Sequence, residues 1–412
     1  MTARFDVAVV GSGIVGLGAA YAAVRRGKSV VVIDRTERPV GSTIRNFGHL
    51  CIGAQSGAAR TYADASRPIW LRLAQDAGFW LRESGTLVVA REHDELALLD
   101  EAAADDEGIR LLDQARVREL APVRDGVARG GALVGVDLQV NPREAAAAIV
   151  RHLTSLGVEF RYRTAVTDVE SGRVRTTRGV VDADEVVVAV NHDIDQLLPE
   201  IADRAGVIRC ALDMMRVAVD LPAPLAAPVL TGWSLVRYRR FAGLGSAAAL
   251  RERLHSERPA LAALDLNQMY TQLPDGTMLL GDSHHKGVQP GPFQPEAAFD
   301  AFVDEAHALF DIRRLRVLER WQGVYAAARE ELLVEEVAPR VLALAATTGI
   351  GMTTGLGLAE TETTRAFGWE PADADGSVPD PAASPVPASR GGEGNTLAEA
   401  AIVGGRAQEE NA

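Results

Sequence analysis

A glycine-rich turn between a buried strand and a helix, close to the N-terminus, most constrains how this chain folds. Residues 7–10 are apolar and mostly β-branched, which is typical of a strand covered on both faces, and the alanine-rich segment after residue 16 favours a helix. Between them a G-x-G-x-x-G pattern is formed by Gly11, Gly13 and Gly16. Such a turn presents backbone N–H groups at a helix start, where they bind a pyrophosphate. The pattern predicts a Rossmann-like α/β nucleotide-binding unit.

A second apolar strand, over residues 29–33, leads directly into Asp34. An acidic side chain at this point accepts hydrogen bonds from a ribose, and it disfavours the 2′-phosphate of NADP. Strand, turn, helix, strand and acid occur in the order that a dinucleotide site requires. This order favours a nucleotide site over an ordinary glycine-rich turn.

Composition narrows the class of partner and the compartment. The formal net charge of −13 argues against nucleic acid and anionic membranes as partners, because phosphate-binding surfaces need concentrated Lys and Arg. Cys51 and Cys210 form no CxxC pair and are expected to be reduced thiols. No apolar run reaches the length of a membrane span, and the first strand begins too early to leave room for a signal peptide. A cytoplasmic protein is therefore expected.

The nucleotide fold is expected to be interrupted. Helices are predicted over residues 58–82 and 94–119, a strand over 83–91, and a helix from Pro142 to residue 156 with Asn141 as its cap. Further short strands are predicted over residues 157–163 and 165–170, and buried strands over 185–190 and 341–346, the last followed by a second glycine cluster and a helix to residue 367. Residues 206–317 have the pattern of alternating antiparallel strands.

These patterns divide the chain into alternating pieces of two domains. The nucleotide-binding domain is assigned residues 1–82, 140–205 and 318–368, and the second domain is assigned residues 83–139 and 206–317. Residues 369–412, which are rich in proline, glycine and acidic side chains, are predicted to form a disordered tail.

The arrangement of motifs resembles the FAD-dependent D-amino acid oxidase family, which includes glycine oxidase and sarcosine oxidase. The likeness covers nearly residues 4–367 and rests on the N-terminal glycine pattern, the interposed domain, the run 320–325 and the second glycine cluster. More narrowly, the run Ser-Thr-Ile-Arg-Asn-Phe-Gly-His over residues 42–49 resembles the FAD-dependent oxidoreductases associated with aminophosphonate breakdown. The resemblance implies a discontinuous Rossmann-like FAD-binding domain with an inserted α+β substrate domain of mixed and antiparallel sheet.

The resemblance also implies which residues hold the cofactor, FAD. The implied cofactor-binding residues are Gly11, Gly13, Gly16, Asp34, Arg35, Ser42, Thr43, Val166, Gly323, Gly349, Gly351, Met352 and Thr353. N–H groups of the second glycine cluster are expected to approach the flavin ring. Gly323 stands where monomeric sarcosine oxidases have a flavin-linked cysteine, so noncovalent FAD is expected. Thr353 replaces a lysine that binds a carboxylate in those enzymes, and Asn191 replaces a glycine, a position at which asparagine tolerates a left-handed backbone.

Candidate catalytic and substrate-binding residues are mainly cations near the expected flavin. The catalytic candidates are Arg45, His49 and Tyr325, and the substrate-binding candidates are Arg45, His49, Arg239, His284 and His285, with Arg60, Arg237 and Lys286 as further cations. Arginine clamps a carboxylate or phosphonate bidentately. The structural alternatives are an ion pair or flavin-phosphate contact for Arg45, a hydrogen-bonded core histidine for His49, core packing for Tyr325 and a solvated turn for the two adjacent histidines. Adjacent histidines on a strand face opposite sides, so no metal site is expected.

The resemblance implies an oxidase that transfers hydride from a small anionic amine to flavin, yielding an imine and then an aldehyde, with molecular oxygen reduced to hydrogen peroxide. The subgroup favours an aminophosphonate such as 2-aminoethylphosphonate or its N-methyl derivative. Alternatives are a glycine, sarcosine or D-amino acid oxidase, a dehydrogenase that passes electrons to a partner or quinone, an NAD-linked hydroxy-acid dehydrogenase, and a nucleotide-binding scaffold without catalysis.

Overall fold

The described part of the chain is organised by a mixed β-sheet of 15 strands and a small sheet of three strands. The structure is a computed structural model, and it describes residues 4–370. The strands are β1 (Arg4–Val10), β2 (Val30–Ile33), β3 (His49–Leu50), β4 (Leu81–Arg82), β5 (Thr86–Ala90), β6 (Ile109–Leu112), β7 (Gly130–Val134), β8 (Leu138–Val140), β9 (Glu159–Arg161), β10 (Val166–Glu170), β11 (Arg173–Thr176), β12 (Gly179–Val188), β13 (Ile208–Asp220), β14 (Val229–Leu230), β15 (Met269–Gln272), β16 (Met278–Gly287), β17 (Arg314–Ala338) and β18 (Val341–Thr348).

Helices cover the faces and fill the connections between these strands. They are α1 (Ile14–Val24), α2 (Gly57–Ala77), α3 (His93–Ala104), α4 (Gln114–Leu120), α5 (Pro142–Ser155), α6 (Ile194–Leu197), α7 (Pro199–Ala205), α8 (Gly232–Leu235), α9 (Arg239–Ala242), α10 (Ala247–Glu257), α11 (Pro259–Ala263), α12 (Glu296–Leu309) and α13 (Gly351–Phe367), with short 3-10 helices at Ser42–Ile44 and Asn191–Asp193.

The parallel part of the large sheet is the nucleotide-binding half. Its strands lie in the order β9, β2, β1, β12, β18, all parallel, and β1 is paired on both sides. The central strands are buried on both faces, which explains their continuous apolar sequence. Asn141 caps α5 through a side-chain bond from the Arg143 N–H, as the sequence predicted. The discontinuous Rossmann-like fold is thus confirmed.

β17 joins the two halves of the molecule. This 25-residue strand pairs antiparallel with β18 on the nucleotide side and with β13 on the other, and the sheet then continues through β16, β15, β14, β5, β7 and β6. A shift in its register between Ala327 and Leu332 lets the strand serve both halves. The predicted domain boundary between residues 317 and 318 falls inside β17, and the boundaries as such stay predictions.

Two local predictions were wrong. The segment 94–119 is not one helix, because β6 separates α3 from α4. Within 206–317, where the sequence pattern indicated alternating strands, helices α8 to α11 lie between β14 and β15, and α12 lies between β16 and β17. β6 is the last strand on its side of the sheet, and it is short and partly exposed, so its sequence lacks the buried pattern of a central strand. The predicted disordered tail lies outside the described residues, apart from its first two positions.

The crossing of α13 over α2 gives a first prediction. A Cβ on Gly357 would lie 2.2 Å from the carbonyl oxygen of Tyr62 and 2.7 Å from the backbone nitrogen of Ser66. Gly357→Ala should therefore lower the free energy of unfolding by about 2 kcal/mol, because the backbones must separate. Urea unfolding measures this, with Gly135→Ala as control, since its nearest atom would be 3.7 Å away. Equal stability of the two variants would contradict the packing.

Candidate active site

Two glycines shape the turn after β1. Gly11 has φ +103°, and a Cβ there would lie 2.5 Å from the carbonyl oxygen of Ala189. A Cβ on Gly16 would lie 2.0 Å from the carbonyl oxygen of Gly11. No other residue type fits either position without a backbone shift. The turn is therefore tight, and α1 starts directly beyond the end of β1.

The start of α1 has the properties of an anion-binding site. Its first turn contains no acidic residue, and the Ile14 N–H donates to Thr43 Oγ1 at 2.9 Å. A Cβ on Gly13 would have only Thr43 Oγ1, at 3.4 Å, as a neighbour, so this glycine leaves the backbone bare toward open space. Bare N–H groups at the positive end of a helix attract phosphate.

Asp34 is held in place by four hydrogen bonds. Its Oδ2 accepts from the backbone N–H and hydroxyl of Ser12, at 2.7 and 2.6 Å, and its Oδ1 from the backbone N–H and hydroxyl of Thr36, at 2.8 and 2.7 Å. The carboxylate is therefore oriented before any ligand arrives. Sequence reasoning did not select Ser12 or Thr36, although hydroxyl residues next to a glycine turn and two residues after an acid are typical partners of this kind.

A second helix start lies near the first. α13 begins at Gly351 without an acidic residue in its first turn, and Gly349 before it has φ +80°. A Cβ on Gly349 would lie 3.0 Å from the ring of Tyr325, so the glycine lets β17 and the start of α13 approach. The indole N–H of Trp70 donates to the Met352 carbonyl at 3.0 Å and fixes this first turn.

Asn191 connects the strands that carry these turns. It has φ +53°, which confirms the expectation that an asparagine serves in place of glycine there. Its Oδ1 accepts from the Ala326 N–H at 2.7 Å, and its Nδ2 donates to the Ala346 carbonyl at 3.3 Å. One side chain thus ties the loop after β12 to both β17 and β18.

All these parts surround one cavity of about 560 Å³. The lining follows the strand order of the sheet, from the loop after β2, past β12 and β18, to β17 and β13. The predicted cofactor residues that line it are Gly11, Gly13, Asp34, Arg35, Ser42, Thr43, Val166, Gly349, Gly351 and Met352. Residues distant in the sequence therefore meet where the sequence predicted one dinucleotide site.

Three predicted cofactor residues lie behind the lining. Gly16 packs under the turn, as described above. Gly323 lies against the loop carrying Arg45, since a Cβ there would be 3.0 Å from the Arg45 carbonyl oxygen. Thr353 is buried, and its Oγ1 accepts from the Cys51 N–H at 3.2 Å. These residues shape the cavity wall, and a direct contact of each with a cofactor stays a prediction.

The cavity fits an elongated dinucleotide. Two helix starts without acidic residues face it, an oriented carboxylate stands beside one of them, and the Gly13 position leaves room that a Cβ would occupy. The Arg35 guanidinium, also in the lining, is neutralised by Asp193 at 2.5 Å. The donor set therefore suits a diphosphate joined to a ribose.

Arg45 differs from Arg35 because no described residue neutralises it. Its guanidinium is exposed, it lines the cavity together with Tyr325 and Leu212, and its Nη1 donates to the Gln322 carbonyl at 3.2 Å. No carboxylate within residues 4–370 lies within ion-pair distance of it. A guanidinium with such free donors is suited to a carboxylate or phosphonate.

His49 is buried in a hydrogen-bonded chain instead of the lining. Thr86 Oγ1 donates its one hydrogen to Asp137 Oδ2 at 2.5 Å. It must therefore accept a hydrogen bond from His49 Nε2. The other ring nitrogen of His49, Nδ1, is then free to accept from the Cys51 thiol at 3.1 Å. Burial, followed by the charge of Asp137, raises the pKa of Cys51, which keeps the thiol protonated as this arrangement requires. Both ring nitrogens of His49 are thus occupied by Thr86 and Cys51, and its predicted contact with substrate stays a prediction.

This network gives a second prediction. His49→Ala should lower the free energy of unfolding by about 2–4 kcal/mol, because it leaves a cavity and removes the hydrogen-bond partner of the buried Thr86 hydroxyl and Cys51 thiol. His255→Ala, on an exposed part of α10, is the control. Equal midpoints of urea unfolding for the two variants would contradict a structural role for His49.

The remaining substrate candidates separate into a buried and an exposed group. His284 is buried and lies edge-on to Tyr325, with ring centroids 6.5 Å apart. The side chain of His285 is 43% exposed on the other side of β16, and Arg239 is 57% exposed and paired with Glu331 at 3.0 Å. None of these three residues belongs to the cavity lining, and their roles in substrate binding stay predictions.

Arg237, a further cation in the sequence, lies next to Tyr325. Although burial alone lowers the pKa of Arg237, the neighbouring Tyr325, Asp265 and Asp282 raise it, and the guanidinium pairs with Asp265 at 3.0 Å. Burial, followed by the nearby Cys210, raises the pKa of Tyr325. The phenol is therefore a neutral hydrogen-bond donor at the cavity wall. Within residues 4–370 no group of His, Cys, Asp and Glu is arranged to hold a metal ion.

Comparison with known proteins agrees with the fold and the cavity. The FAD dependent oxidoreductase (DAO) family model matches residues 6–364. A glycine oxidase of Bacillus licheniformis is 29% identical over 203 residues, which are 46% of this chain and 54% of that protein. A D-amino acid dehydrogenase of Helicobacter pylori is 22% identical over 218 residues, which are 40% of this chain and 53% of that one. The match thus spans about half the length of these curated relatives.

A solved structure extends the likeness to the whole fold. Glycine oxidase from Geobacillus kaustophilus superposes with a TM-score of 0.71 at 19% identity, covering 92% of this chain and 99% of that one. Among residues 4–370, no helix is both long and apolar enough to traverse a bilayer. The chain belongs to the DAO family of FAD-dependent oxidoreductases.

Proposed function

We propose that this FAD-dependent oxidoreductase oxidises a small amine that carries an anionic group, with an aminophosphonate such as 2-aminoethylphosphonate or its N-methyl derivative preferred. The observation that carries the proposal is Arg45, whose exposed guanidinium lines the cavity beside Tyr325 without a carboxylate partner among the described residues. A cation that lacks an internal partner attracts an anionic group of the substrate. The neighbouring Leu212 and Met352 offer apolar surface for the carbon chain.

The residues of the chain hold and orient both the cofactor and the substrate in this proposal. The starts of α1 and α13, with Thr43 and Asp34, would hold FAD along the cavity. When bound, FAD supplies the two-electron acceptor for hydride from the carbon next to nitrogen. Arg45 would hold the anion, and the Tyr325 hydroxyl would donate a hydrogen bond to it. Holding the reacting carbon in one orientation provides most of the rate enhancement.

Two features favour a phosphonate over a carboxylate. A phosphonate carries more charge and more acceptor oxygens than a carboxylate, and the Arg45 guanidinium has several N–H donors to offer, with only the Gln322 carbonyl as a partner among the described residues. The loop over residues 42–49, on which the aminophosphonate resemblance rests, is also the loop that contributes Ser42, Thr43 and Arg45 to the cavity. The second candidate is a glycine, sarcosine or D-amino acid substrate, which the glycine oxidase and D-amino acid dehydrogenase relatives favour.

A substrate screen tests the proposal. The purified FAD-loaded protein is supplied with 2-aminoethylphosphonate, its N-methyl derivative, glycine, sarcosine, D-alanine and ethylamine, and hydrogen peroxide and aldehyde are measured. We expect the highest kcat/KM for a phosphonate and none for ethylamine, which lacks an anion. If the protein oxidises glycine or D-alanine but no phosphonate, the proposed substrate would be an amino acid and not an aminophosphonate. Turnover with an artificial electron acceptor, but without peroxide, would identify a dehydrogenase.

A further inference from the structure

Asp282 is a buried acid that the sequence did not single out. Along β16, Ser283 pairs with Asp213 and Gly281 with Met214, so Asp282 is the extra residue of a β-bulge. Its backbone N–H donates to the Asn267 carbonyl at 2.6 Å, and its carbonyl accepts from the Asn267 N–H at 2.8 Å. β-Bulges re-aim a side chain and are frequent next to active sites.

The bulge lies in β16, the strand next to the β13 part of the cavity wall, and neither Asp282 nor His284 is itself a lining residue. His284, two residues further along β16, is paired across the sheet with Leu212 of β13, which in turn is paired with Gly323 of β17. Directly paired residues of neighbouring strands project to the same face. Leu212 lines the cavity and Gly323 faces the Arg45 loop, so His284 projects from the face that contains the cavity.

One of the two carboxylate oxygens of Asp282, Oδ2, lies next to the imidazole of His284. His284 Nδ1 lies 2.9 Å from the Asp265 carbonyl, which can only accept, so this nitrogen carries a hydrogen. His284 Nε2 then faces Asp282 Oδ2 at 3.3 Å, where a shared proton is needed to join them. His284 therefore fixes the orientation of the carboxylate.

The other oxygen has no partner. Asp282 is only 5% exposed, and within residues 4–370 its Oδ1 has no hydrogen bond. A buried carboxylate oxygen without a donor is costly, which indicates that a ligand supplies one. The charge of Asp282 acts on the phenols of Tyr238 and Tyr325, the Arg237 guanidinium and the thiols of Cys51 and Cys210. Burial is the largest cause of the raised pKa of both phenols, a neighbouring cysteine is the second, and the charge of Asp282 adds a smaller contribution. Neither phenol is therefore ionised.

We propose that Asp282 Oδ1 accepts a hydrogen bond from the amino group of the substrate, while arginine holds the anionic group at the other end. This inference rests on the proposed function and adds the residue that selects an amine. The site would then hold the amino end of the ligand at Asp282 and its anionic end at Arg45. Such a pair of contacts rejects both an amine without an anion and an anion without an amine.

The test separates the two ends of the ligand. Asp282→Asn keeps the shape of the side chain and removes its charge. The best amine of the screen is titrated into the oxidised protein without oxygen, and the amine concentration that gives half the maximal rate of flavin reduction is measured. We expect Asp282→Asn to raise this concentration at least about 10-fold. The Kd of the matching ligand without nitrogen, ethylphosphonate or acetate, should change less than about 3-fold, measured from the visible absorbance of bound FAD. Arg45→Met should weaken both ligands.

Controls distinguish this role from a structural one. Asp275→Asn removes a carboxylate from the exposed turn before β16 and should alter neither quantity. If Asp282→Asn fails to retain FAD, Asp282→Glu keeps the charge but displaces it, and it should weaken only the amine. Unchanged amine affinity, or equal loss for both ligands, would overturn the assignment of Asp282. A wild-type flavin that no amine reduces would instead overturn the proposed function, and this inference with it.

Discussion

Gly11→Ala is expected to lower the free energy of unfolding by at least about 3 kcal/mol and to yield protein without bound FAD. The residue has φ +103°, a conformation that strains any L side chain, and the new Cβ would lie 2.5 Å from the Ala189 carbonyl oxygen. Relief requires β1 and the loop after β12 to separate. That movement displaces the start of α1, whose N–H groups are proposed to bind the pyrophosphate.

Gly276→Ala is the matched control for this change. Gly276 has φ +80° in an exposed turn, and a Cβ there would meet no atom within 4 Å. It should therefore cost only about 1–2 kcal/mol, from backbone strain alone, and it should retain FAD. Urea unfolding and the ratio of flavin to protein absorbance measure both effects. A Gly11→Ala protein with full FAD content and the stability of the control would contradict the proposed turn.

Arg45→Met is expected to reduce kcat/KM for the preferred anionic amine at least about 100-fold. Methionine keeps much of the apolar length of arginine and removes the charge and its hydrogen bonds. Because the Arg45 guanidinium bonds only the Gln322 carbonyl among described groups, FAD content and stability should change little.

The control for Arg45 comes from the same segment. Arg38 is 72% exposed and does not line the cavity, so Arg38→Met should behave as the wild type. The loss in Arg45→Met should appear mainly in KM, and the variant should discriminate less between amines with and without an anion. Equal loss of FAD and of turnover would instead assign Arg45 to the cofactor.

The local parts of the site were predictable because their sequence requirements are local. Gly11, Gly13 and Asp34 lie within one strand, turn, helix and strand, and each position allows few residue types. The Asn191 backbone was predictable for the same reason. β6 was missed because an edge strand carries exposed residues such as Leu111, which is 43% exposed, and so lacks a buried pattern.

Side-chain partners from distant segments were not predictable. In the sequence His49 belongs to a polar loop, but in the fold it is buried. Its Nε2 bonds Thr86 Oγ1 of β5, which in turn donates to Asp137 before β8, and its Nδ1 bonds the Cys51 thiol. Asp282 was overlooked because neither the bulge of β16 nor the contact with His284 follows from spacing alone. Period-two alternation of Asp282, His284 and Lys286 along a strand was the one available indication.

Anaerobic titration of the purified FAD-loaded protein with matched ligands tests the central claim most directly. The proposal predicts that the visible absorbance of the flavin is bleached by an amine bearing an anionic group. It also predicts that ethylamine leaves the flavin oxidised, and that ethylphosphonate or acetate perturbs the spectrum without bleaching it. A flavin that ethylamine reduces as readily as an anionic amine, or that no amine reduces, would contradict the claim.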